Sequence, residues 1–357
     1  MINVTKSYLP SLEVYVSHLE KIWKSGWLTN NGPLLQQLEK NLKEYLGVKH
    51  LFVCSNGTIA LQIAIRSLEL KGEIITTPYS YVATLNSIIW ENCTPVFADI
   101  NLTDFNLDPD SVISKITKNT KAILATHVYG NPCDVKKLKD VSDRYDLKII
   151  YDGAHAFSGS YEGQPILNYG DVSTCSLHAT KLFHTVEGGL MVTSDDEIAK
   201  KIFLLRQFGH DGESYFGLGI NGKNSEFHAA MGLSIFPDLP LILEKRKEVI
   251  GWYNQYLNYS KIQRPVPLAH TAPNFSFMPV IFQSEEELIN VKNKLTEIGV
   301  NARRYFYPSL NVLPHVNYQS CPQSESVALR ALCLPLYVGL KEEEVRRIAS
   351  AVNEELG

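Results

Sequence analysis

Between residues 49 and 209, short apolar runs that favour β-strands alternate with segments that favour helices. This alternation predicts parallel strands joined by crossover helices, because two parallel strands cannot be linked by a tight turn. Runs such as Ile149–Tyr151 are continuously apolar, which is typical of strands covered by helices on both faces. The sequence therefore predicts an α/β fold with a large, mostly parallel sheet.

The predicted elements of this region are short and closely spaced. The strands are Leu51–Ser55, Glu73–Thr77, Pro95–Ile100, Ala122–His127 and Lys148–Asp152. The helices are Thr58–Leu68, Val82–Trp90, Pro109–Ile116 and Val135–Tyr145.

The pattern changes near Pro237, where longer helical segments surround one strand-like run. A chain of 357 residues also exceeds the size at which a single hydrophobic core usually stops growing. We therefore expect a large domain over residues 1–240 and a smaller α+β domain over residues 241–357. We expect the partly helical first 43 residues to pack across both domains or onto a partner subunit.

In this second region the predicted elements are three helices and one strand, with a proline-bearing connection before the strand. The helices are Leu241–Leu257, Glu285–Ile298 and Lys341–Leu356, the strand is Phe275–Phe282, and the connection is Gln263–Pro273.

Charge and cysteine content exclude several classes of function. The 34 basic and 38 acidic residues give a net charge of -4 with no block of like charge, so nucleic acid is not an expected partner. No apolar run approaches the ~20 residues that span a bilayer, and the first ten residues do not resemble a signal peptide. The six cysteines are scattered without zinc-ligand spacing, which favours reduced thiols in the cytosol and predicts no metal site.

Polar and turn-forming residues follow three of the predicted strands. Ser55-Asn56-Gly57 follows the first, Pro78-Tyr79-Ser80 the second, and Asp152-Gly153 ends the fifth. Open α/β sheets bind their ligands beyond the carboxyl ends of the strands. We therefore expect these three loops to converge on one pocket.

The segment from Tyr151 to Gly189 is the most informative one, and it contains Lys181. A lone lysine before an apolar strand is usually a solvated surface charge. Chemistry with pyridoxal 5'-phosphate, however, needs a lysine amine to bond to the cofactor's aldehyde and a carboxylate to keep the ring nitrogen protonated. It also needs a cradle for the phosphate and a flat group against the ring, and this chain offers a candidate for each.

Asp152 is the candidate carboxylate, because a charged group at the end of a buried strand is costly without a cation partner. The protonated ring nitrogen of the cofactor would be that partner. A turn or cap aspartate is the alternative for Asp152. His155 would lie over the ring or orient Asp152, or it is a structural histidine.

Gly57 and Thr58 open a helix, where their N–H groups would point at a bound phosphate. An ordinary helix cap is the alternative for this turn. The Ser176 hydroxyl lies near Lys181 in sequence and suits a phosphate oxygen. Tyr81 offers an aromatic face for stacking on the cofactor ring, although an aromatic residue here is more often part of the core.

Several motifs occur together in an order that resembles the DegT/DnrJ/StrS family of nucleotide-sugar aminotransferases, and the resemblance covers essentially the whole chain. The motifs are WLTNNGP (27–33), NGT (56–58), PYSYVAT (78–84), DGAHA (152–156), SLHATK (176–181), EGG (187–189), GINGKNSE (219–226) and LCLPLYVGL (332–340).

The resemblance implies a PLP-dependent aminotransferase type I fold and a homodimer with shared active sites. It implies Lys181 as the catalytic lysine that bonds to the cofactor, Asp152 as the partner of the ring nitrogen, and Asn221 as a residue that reaches the phosphate of the neighbouring subunit. The other matching cofactor positions are Gly57, Thr58, Tyr81, His155 and Ser176. Thr29, Arg304 and Tyr307 are the candidates for contact with the sugar nucleotide.

The resemblance also implies the reaction: glutamate gives its amino group to a nucleotide-linked keto-deoxysugar. The motifs are most similar to those of the family members that act on dTDP-4-dehydro-6-deoxyglucose, in O-antigen or related polysaccharide synthesis. Some relatives carry histidine where Lys181 stands and remove a hydroxyl instead. Two departures from the family pattern are Gly222, often aromatic, and Lys223, often arginine, which put the contact between subunits in doubt.

Three alternatives stay open at this point. One is amination at C3 of a dTDP-3-keto-6-deoxyhexose. Another is a regulatory protein that binds the cofactor without turnover. The third is an α/β protein without this cofactor, in which Lys181 is incidental.

Overall fold

The computed structural model describes all residues from 1 to 357. Its main feature is a seven-stranded sheet with the strand order β2-β10-β9-β6-β5-β3-β4. The predicted α/β class is therefore confirmed. The strands are β1 (Ile2–Asn3), β2 (His50–Cys54), β3 (Glu73–Thr76), β4 (Thr94–Phe97), β5 (Thr120–Thr126), β6 (Lys148–Asp152), β7 (Ser160–Tyr161), β8 (Gln164–Pro165), β9 (Val172–Ser176), β10 (Gly189–Thr193), β11 (His210–Asp211), β12 (Ser214–Tyr215), β13 (Thr271–Ala272), β14 (Met278–Ile281), β15 (Val300–Asn301) and β16 (Ala331–Leu334).

Twelve helices accompany these strands, and several begin at a side chain that accepts a backbone N–H of the first turn. Such caps fix where a helix starts, because the first N–H groups have no partner inside the helix. The capping residues are Asn56, Asp108, Asp134, Asp195, Ser225 and Ser284. The helices are α1 (Leu12–Ser25), α2 (Pro33–Leu46), α3 (Gly57–Ser67), α4 (Val82–Trp90), α5 (Pro109–Lys115), α6 (Val135–Tyr145), α7 (Asp196–Arg206), α8 (Glu226–Ile235), α9 (Leu239–Tyr256), α10 (Glu285–Glu297), α11 (Pro322–Arg330) and α12 (Glu342–Leu356).

Both faces of the main sheet are covered, as the continuous apolar runs predict. Along β5, Ile123 and Ala125 join one hydrophobic cluster while Ala122 and Leu124 join another on the opposite face. This division follows from the period of two along a strand, which sends successive side chains to opposite faces. The alternating residues therefore anchor the sheet between two helical layers.

One strand of the main sheet, β10, runs against the others. It pairs antiparallel with both β2 and β9, whereas the remaining pairs are parallel. Its connection from β9, residues 177–188, contains no helix, whereas parallel strands are usually joined through one. This connection carries Lys181 and brings it to the carboxyl end of the sheet.

The C-terminal part has a core of its own, formed by β14, β16, α9, α10 and α12. Ile2 also belongs to this core, because β1 pairs with β15 and the Val4 carbonyl accepts a 3.0 Å hydrogen bond from Leu336 N–H. In contrast, α1 and α2 pack on α8. The N-terminal segment thus contacts both parts of the chain. We propose that the chain forms two domains, which divide near residue 240.

No helix of the structure combines the length and the apolar character needed to cross a membrane.

Candidate active site

A cavity of about 320 Å³ lies beyond the carboxyl ends of β2, β3, β6 and β9. The three loops expected to meet all contribute to it, through Asn56 to Thr58, through Ser80 and Tyr81, and through Asp152. The opposite wall comes from the C-terminal part and from the start of the chain. The cavity is therefore assembled from segments that are far apart in sequence.

Lys181 lines this cavity from the connection between β9 and β10. Backbone hydrogen bonds hold the connection, including Lys181 N–H to the His178 carbonyl at 2.8 Å and Ala179 N–H to the Val186 carbonyl at 2.7 Å. Burial lowers the pKa of Lys181, and the charge of Arg303 adds to this, while Asp152 and Cys175 act in the opposite direction. The Lys181 amine is therefore easier to deprotonate than an ordinary lysine.

Asp152 is the last residue of β6 and is only 5% exposed. Its Oδ1 accepts the Ala154 N–H at 3.0 Å and its Oδ2 accepts the Thr84 hydroxyl at 2.7 Å. Burial raises the pKa of Asp152, while these two hydrogen bonds and the nearby Lys181 lower it. The carboxylate thus has two donors and no ion pair, which leaves acceptor sites open toward the cavity.

A chain of buried hydroxyl groups stands behind this carboxylate. The Thr84 hydroxyl lies 2.7 Å from the Ser80 hydroxyl, which lies 2.9 Å from that of Thr126. Each hydroxyl can donate one hydrogen bond and accept others, so a consistent direction runs from Thr126 through Ser80 and Thr84 to Asp152. The chain fixes the orientation of the carboxylate.

His155 lines the same cavity and is 6% exposed. Its ring stacks on Phe306 at 5.5 Å between ring centres and meets the edge of Phe277 at 4.6 Å. Its Nδ1 has no hydrogen-bond partner. Burial, with a smaller effect of Lys181, holds the pKa of His155 well below its usual range, so the ring is neutral.

Gly57 and Thr58 form another end of the cavity, at the start of α3. Asn56 caps this helix, its side chain accepting the Ile59 N–H at 2.9 Å and its carbonyl the Ala60 N–H at 3.1 Å. The first two N–H groups of the helix are left without intrahelical partners. A Cβ at residue 57 would lie 3.1 Å from the Ser176 Cβ, so glycine is what keeps the backbone open to the cavity beside Ser176.

Tyr81 also lines the cavity, where its side chain is 54% exposed and lies at the start of α4. Seven of the predicted cofactor residues thus share one cavity: Gly57, Thr58, Tyr81, Asp152, His155, Ser176 and Lys181.

Four other predicted residues lie outside the cavity lining. Thr29, Asn221 and Tyr307 are exposed. Arg304 is engaged elsewhere, because its Nη2 lies 2.8 Å from Glu285 Oε1 and 3.0 Å from the Leu329 carbonyl. Asn221 adjoins Gly222, whose carbonyl accepts the Ser55 N–H at 2.9 Å, so it lies next to the loop of Gly57 while facing outward.

Sequence reasoning missed the roles of Thr84 and of the C-terminal wall. Thr84 lies within the motif PYSYVAT, but its contact with Asp152 depends on the fold. Arg303 and Tyr305 line the cavity whereas Arg304 does not. A single sequence carries no signal for this, because Arg303 forms an isolated bridge with Cys333 and Tyr305 lies in the turn that follows.

The motifs WLTNNGP (27–33) and GINGKNSE (219–226) contact each other in the structure. The Glu226 carboxylate accepts the N–H groups of Leu34 and Leu35 at 2.8 and 2.9 Å, and so caps α2 just after WLTNNGP. A Cβ at Gly32 would lie 2.5 Å from the Glu226 Cδ, so this close approach needs glycine. The two motifs therefore hold each other in place.

Three observations indicate that the residues of the cavity fit pyridoxal 5'-phosphate. Asp152 is a buried carboxylate that lacks a cation, and His155 has an orphaned ring nitrogen. Gly57 keeps open a cradle of free N–H groups beside Ser176. A protonated ring nitrogen would pair with the carboxylate, a hydrogen-bonding group of the cofactor with the histidine nitrogen, and a phosphate with the free N–H groups.

Comparison with known proteins gives consistent matches over nearly the entire chain. Residues 13–353 match the DegT/DnrJ/EryC1/StrS aminotransferase family. A Shigella dysenteriae protein named dTDP-4-amino-4,6-dideoxy-D-glucose transaminase is 40% identical over 365 residues, covering 99% of this chain and 98% of the relative.

Two solved structures share the fold. The crystal structure of DesI in the presence of its TDP-sugar product superposes with a TM-score of 0.93 and 30% identity, covering 99% of this chain and 92% of that one. The structure of NtdA from Bacillus subtilis, with bound cofactor PMP, gives a TM-score of 0.89 and 27% identity, covering 97% of this chain and 82% of that one. The expected fold class is thereby confirmed.

Proposed function

Because this chain belongs to the DegT/DnrJ/EryC1/StrS aminotransferase family, we propose that it transfers the amino group of glutamate to dTDP-4-dehydro-6-deoxy-D-glucose and so forms dTDP-4-amino-4,6-dideoxy-D-glucose. The chain is a nucleotide-sugar aminotransferase. The observation that carries the proposal is the placement of Lys181 and Asp152 in one cavity. The choice of sugar is supported by the relative with 40% identity.

We propose pyridoxal 5'-phosphate as the cofactor. Lys181 is the residue joined to it, Asp152 holds the proton on its ring nitrogen, and the ring of His155 lies beside it. The free N–H groups of Gly57 and Thr58, with the Ser176 hydroxyl, hold the phosphate. When bound, the cofactor acts as an electron sink that stabilises negative charge on the donor's α-carbon.

The residues of the chain carry the proton transfers. Once the amine of glutamate has taken the place of Lys181 in the bond to the cofactor, the freed Lys181 Nζ can remove the proton from the α-carbon of glutamate, a role that its lowered pKa favours. The same amine then returns a proton in the second half of the reaction, when the sugar accepts the amino group. The hydroxyl of Thr84 keeps Asp152 oriented throughout.

We also propose that the enzyme works as a homodimer. Several large apolar side chains are exposed on the single chain, among them Trp23 at 72%, Tyr215 at 78% and Leu218 at 73% exposure. A dimer interface that covers such side chains would remove apolar area from water. In such a dimer the outward-facing Asn221 of one subunit serves the phosphate of the other. We expect the dimer in the cytosol, where its six free cysteines stay reduced.

The deciding experiment combines the protein with dTDP-4-dehydro-6-deoxyglucose, glutamate and pyridoxal 5'-phosphate and locates the new amine by NMR. An amine at C4 of a glucose-configured product supports the proposal. An amine at C3 of a dTDP-3-keto-6-deoxyhexose, offered in parallel, would replace the proposed substrate. A protein that binds the cofactor but whose visible absorbance does not change with glutamate would instead be a regulatory protein without turnover.

A further inference from the structure

Val186 has a backbone conformation that a β-branched residue rarely adopts. Its φ is 68°, in the left-handed region, where the side chain crowds the backbone. Packing of the side chain does not impose this conformation, because the side chain is 42% exposed. Strain of this kind persists only where the surrounding structure holds it, and it is concentrated at functional sites. Val186 lies in the connection of residues 177–188, which carries Lys181.

Both backbone polar groups of Val186 are bound. Its carbonyl accepts the Ala179 N–H at 2.7 Å, which closes the connection just before Lys181. Its N–H donates a 3.2 Å hydrogen bond to Nδ1 of His184. A change of Val186 to an ordinary conformation would turn these groups away from their partners. The bond to Ala179 therefore depends on the left-handed conformation, and the side chain of His184 helps to hold it.

The imidazole of His184 is only 1% exposed and has a partner at each nitrogen. Its Nε2 lies 2.8 Å from the carbonyl oxygen of Tyr8. Since Nδ1 accepts the Val186 N–H, the proton of the neutral ring is on Nε2 and is donated to this carbonyl. Burial lowers the pKa of His184, and nearby His178 adds to this, while the bond to Tyr8 raises it. One neutral tautomer thus satisfies both partners.

The second partner of His184 belongs to the N-terminal segment that forms part of the cavity wall. The Tyr8 hydroxyl donates a 2.8 Å hydrogen bond to Oδ2 of Asp238, at the start of α9, so Tyr8 is held through its side chain as well as its carbonyl. Val4 and Thr5 of the same segment line the cavity. The imidazole therefore joins the connection that carries the reacting lysine to a wall of the cavity.

We propose that His184 is a positioning residue for the amino transfer: it holds Val186 in the left-handed conformation and so fixes the connection from which Lys181 enters the cavity. The inference rests on the proposed function, because it takes Lys181 as the reacting amine. His184 does not itself line the cavity and acts through Val186 and Ala179. A displaced amine lowers the rate, because the reacting atoms must be closely aligned.

The test removes the imidazole in two backgrounds, wild type and Val186→Gly, because glycine adopts the left-handed conformation without steric cost. His184→Leu removes both hydrogen bonds and leaves an apolar side chain. His184→Asn keeps an acceptor for the Val186 N–H, because its amide oxygen takes the place of Nδ1. His127→Leu is the matched control, since this buried histidine also accepts a backbone N–H at Nδ1, that of Cys133 at 3.0 Å, but outside the connection.

Two measurements follow each variant. Amide hydrogen exchange of the peptide that spans residues 177–188 reports the connection itself, before and after the protein is loaded with pyridoxal 5'-phosphate. The values of kcat and KM of the loaded enzyme report the placement of the amine. The first measurement does not depend on any activity, so it separates the role of His184 from the proposed reaction.

We expect His184→Leu to speed exchange of this peptide about tenfold or more and to lower kcat by about tenfold, with each KM changed by less than about threefold. In the Val186→Gly background the same substitution should change exchange and kcat by less than about threefold, because no strained conformation remains to be released. His184→Asn should lie closer to wild type than His184→Leu. His127→Leu should have the same fold effect in both backgrounds.

Equal fold effects of His184→Leu in the two backgrounds would overturn the inference, because they would show that the histidine does not act through Val186. Equal losses in His184→Asn and His184→Leu, or a loss confined to KM, would overturn it as well. Exchange that responds as expected in a protein that transfers no amino group would instead overturn the proposed function, while it would still support the role of His184 in holding the connection.

Discussion

The Thr84 hydroxyl donates a 2.7 Å hydrogen bond to Oδ2 of Asp152, and both side chains are buried. This contact ties the start of α4 to the end of β6 and holds the carboxylate in one rotamer. A carboxylate that must face a ring nitrogen needs such support, because a small error in position costs rate.

Replacement of Thr84 by valine removes the donor at almost constant volume. We expect kcat to fall about tenfold or more, because a hydrogen bond to a charged group is lost and the carboxylate becomes mobile. Thr84→Ser keeps the hydroxyl and should retain most of the activity, with kcat and KM measured for both variants. Equal activity of the valine and serine variants would show that the hydroxyl does not position Asp152.

Asp152→Asn keeps the shape of the side chain but removes its charge. We expect a folded protein that loses turnover by roughly two orders of magnitude or more, because a neutral amide does not keep the ring nitrogen protonated. Circular dichroism checks the fold and the product assay checks the rate. Near-normal turnover would refute the assigned role of Asp152.

Lys181→Ala should lose the visible absorbance of the bound cofactor and reduce transamination by roughly 10³-fold or more, because one amine provides both the covalent link and the base. The variant should still bind pyridoxamine phosphate, which needs no covalent link. Lys201→Ala is a suitable control, since Lys201 pairs with Glu69 at 3.2 Å on the surface. Retained transamination in Lys181→Ala would contradict the proposal.

The pH dependence of the donor step follows from the lowered pKa of Lys181. The base must be neutral, so the rate should fall as the pH drops through this pKa and the amine becomes protonated. Arg303 contributes to the lowering by its charge, so Arg303→Gln should raise the pKa of Lys181 and move this acid limb to higher pH. A limb that does not move in a pH series of the donor step would show that Arg303 does not act on the amine.

Buried His127 should make the fold sensitive to acid. Burial lowers its pKa from 6.5 to about 3, so between these values the unfolded chain binds a proton that the folded chain does not. Above pH 6.5 the free energy of unfolding is therefore not reduced by protonation of His127. As the pH falls below 6.5, His127 lowers the free energy of unfolding by up to about 1.4 kcal/mol per pH unit. His127→Gln retains an acceptor for the Cys133 N–H, which His127 Nδ1 accepts at 3.0 Å.

Urea unfolding at pH 7 and pH 5 compares the two proteins. Between pH 7 and pH 5, the free energy of unfolding of the wild type should fall by roughly 2 kcal/mol more than that of His127→Gln. Identical losses in the two proteins would mean that this histidine does not titrate on unfolding.

Hybrid dimers test whether Asn221 serves the neighbouring subunit. Lys181→Ala and Asn221→Asp subunits are inactive or weak alone, the second because a carboxylate repels the phosphate. If Asn221 acts across the interface, one site of each hybrid contains both wild-type residues. Random mixing should then restore about a quarter of wild-type activity. No recovery after mixing, with hybrid formation verified by tagged subunits, would show that Asn221 serves its own subunit.

The sequence predicted best those features that depend on local chemistry. The bounds of Val82–Trp90, Val135–Tyr145 and Lys148–Asp152 coincide with the structure, because caps and turns mark them. The helix α11 was missed, since its nine residues are largely polar and carry only a short apolar pattern. Its place is decided by packing and not by local preference.

The same distinction between local chemistry and packing applies to the residues of the active site. Lys181 and Asp152 were recognisable because each lies next to an apolar strand in a motif-rich segment. That Arg303 and not Arg304 faces the cavity depends on a bridge to Cys333, thirty positions away. The contact of Thr84 with Asp152 depends on the order of the strands in the sheet. Contacts of this kind arise from tertiary structure, so a single sequence carries little signal for them.

The first residues of the chain form part of the cavity wall, and residues of the C-terminal part hold them there. Val4 and Thr5 line the cavity, yet β1 pairs with β15 and the Val4 carbonyl is bound by Leu336. During synthesis the first residues must therefore wait, unpaired, until the last of these partners has left the ribosome. Completion of the cavity wall is consequently an event of the finished fold, and a bulky group attached at Met1 would disturb this wall more than one attached at Gly357.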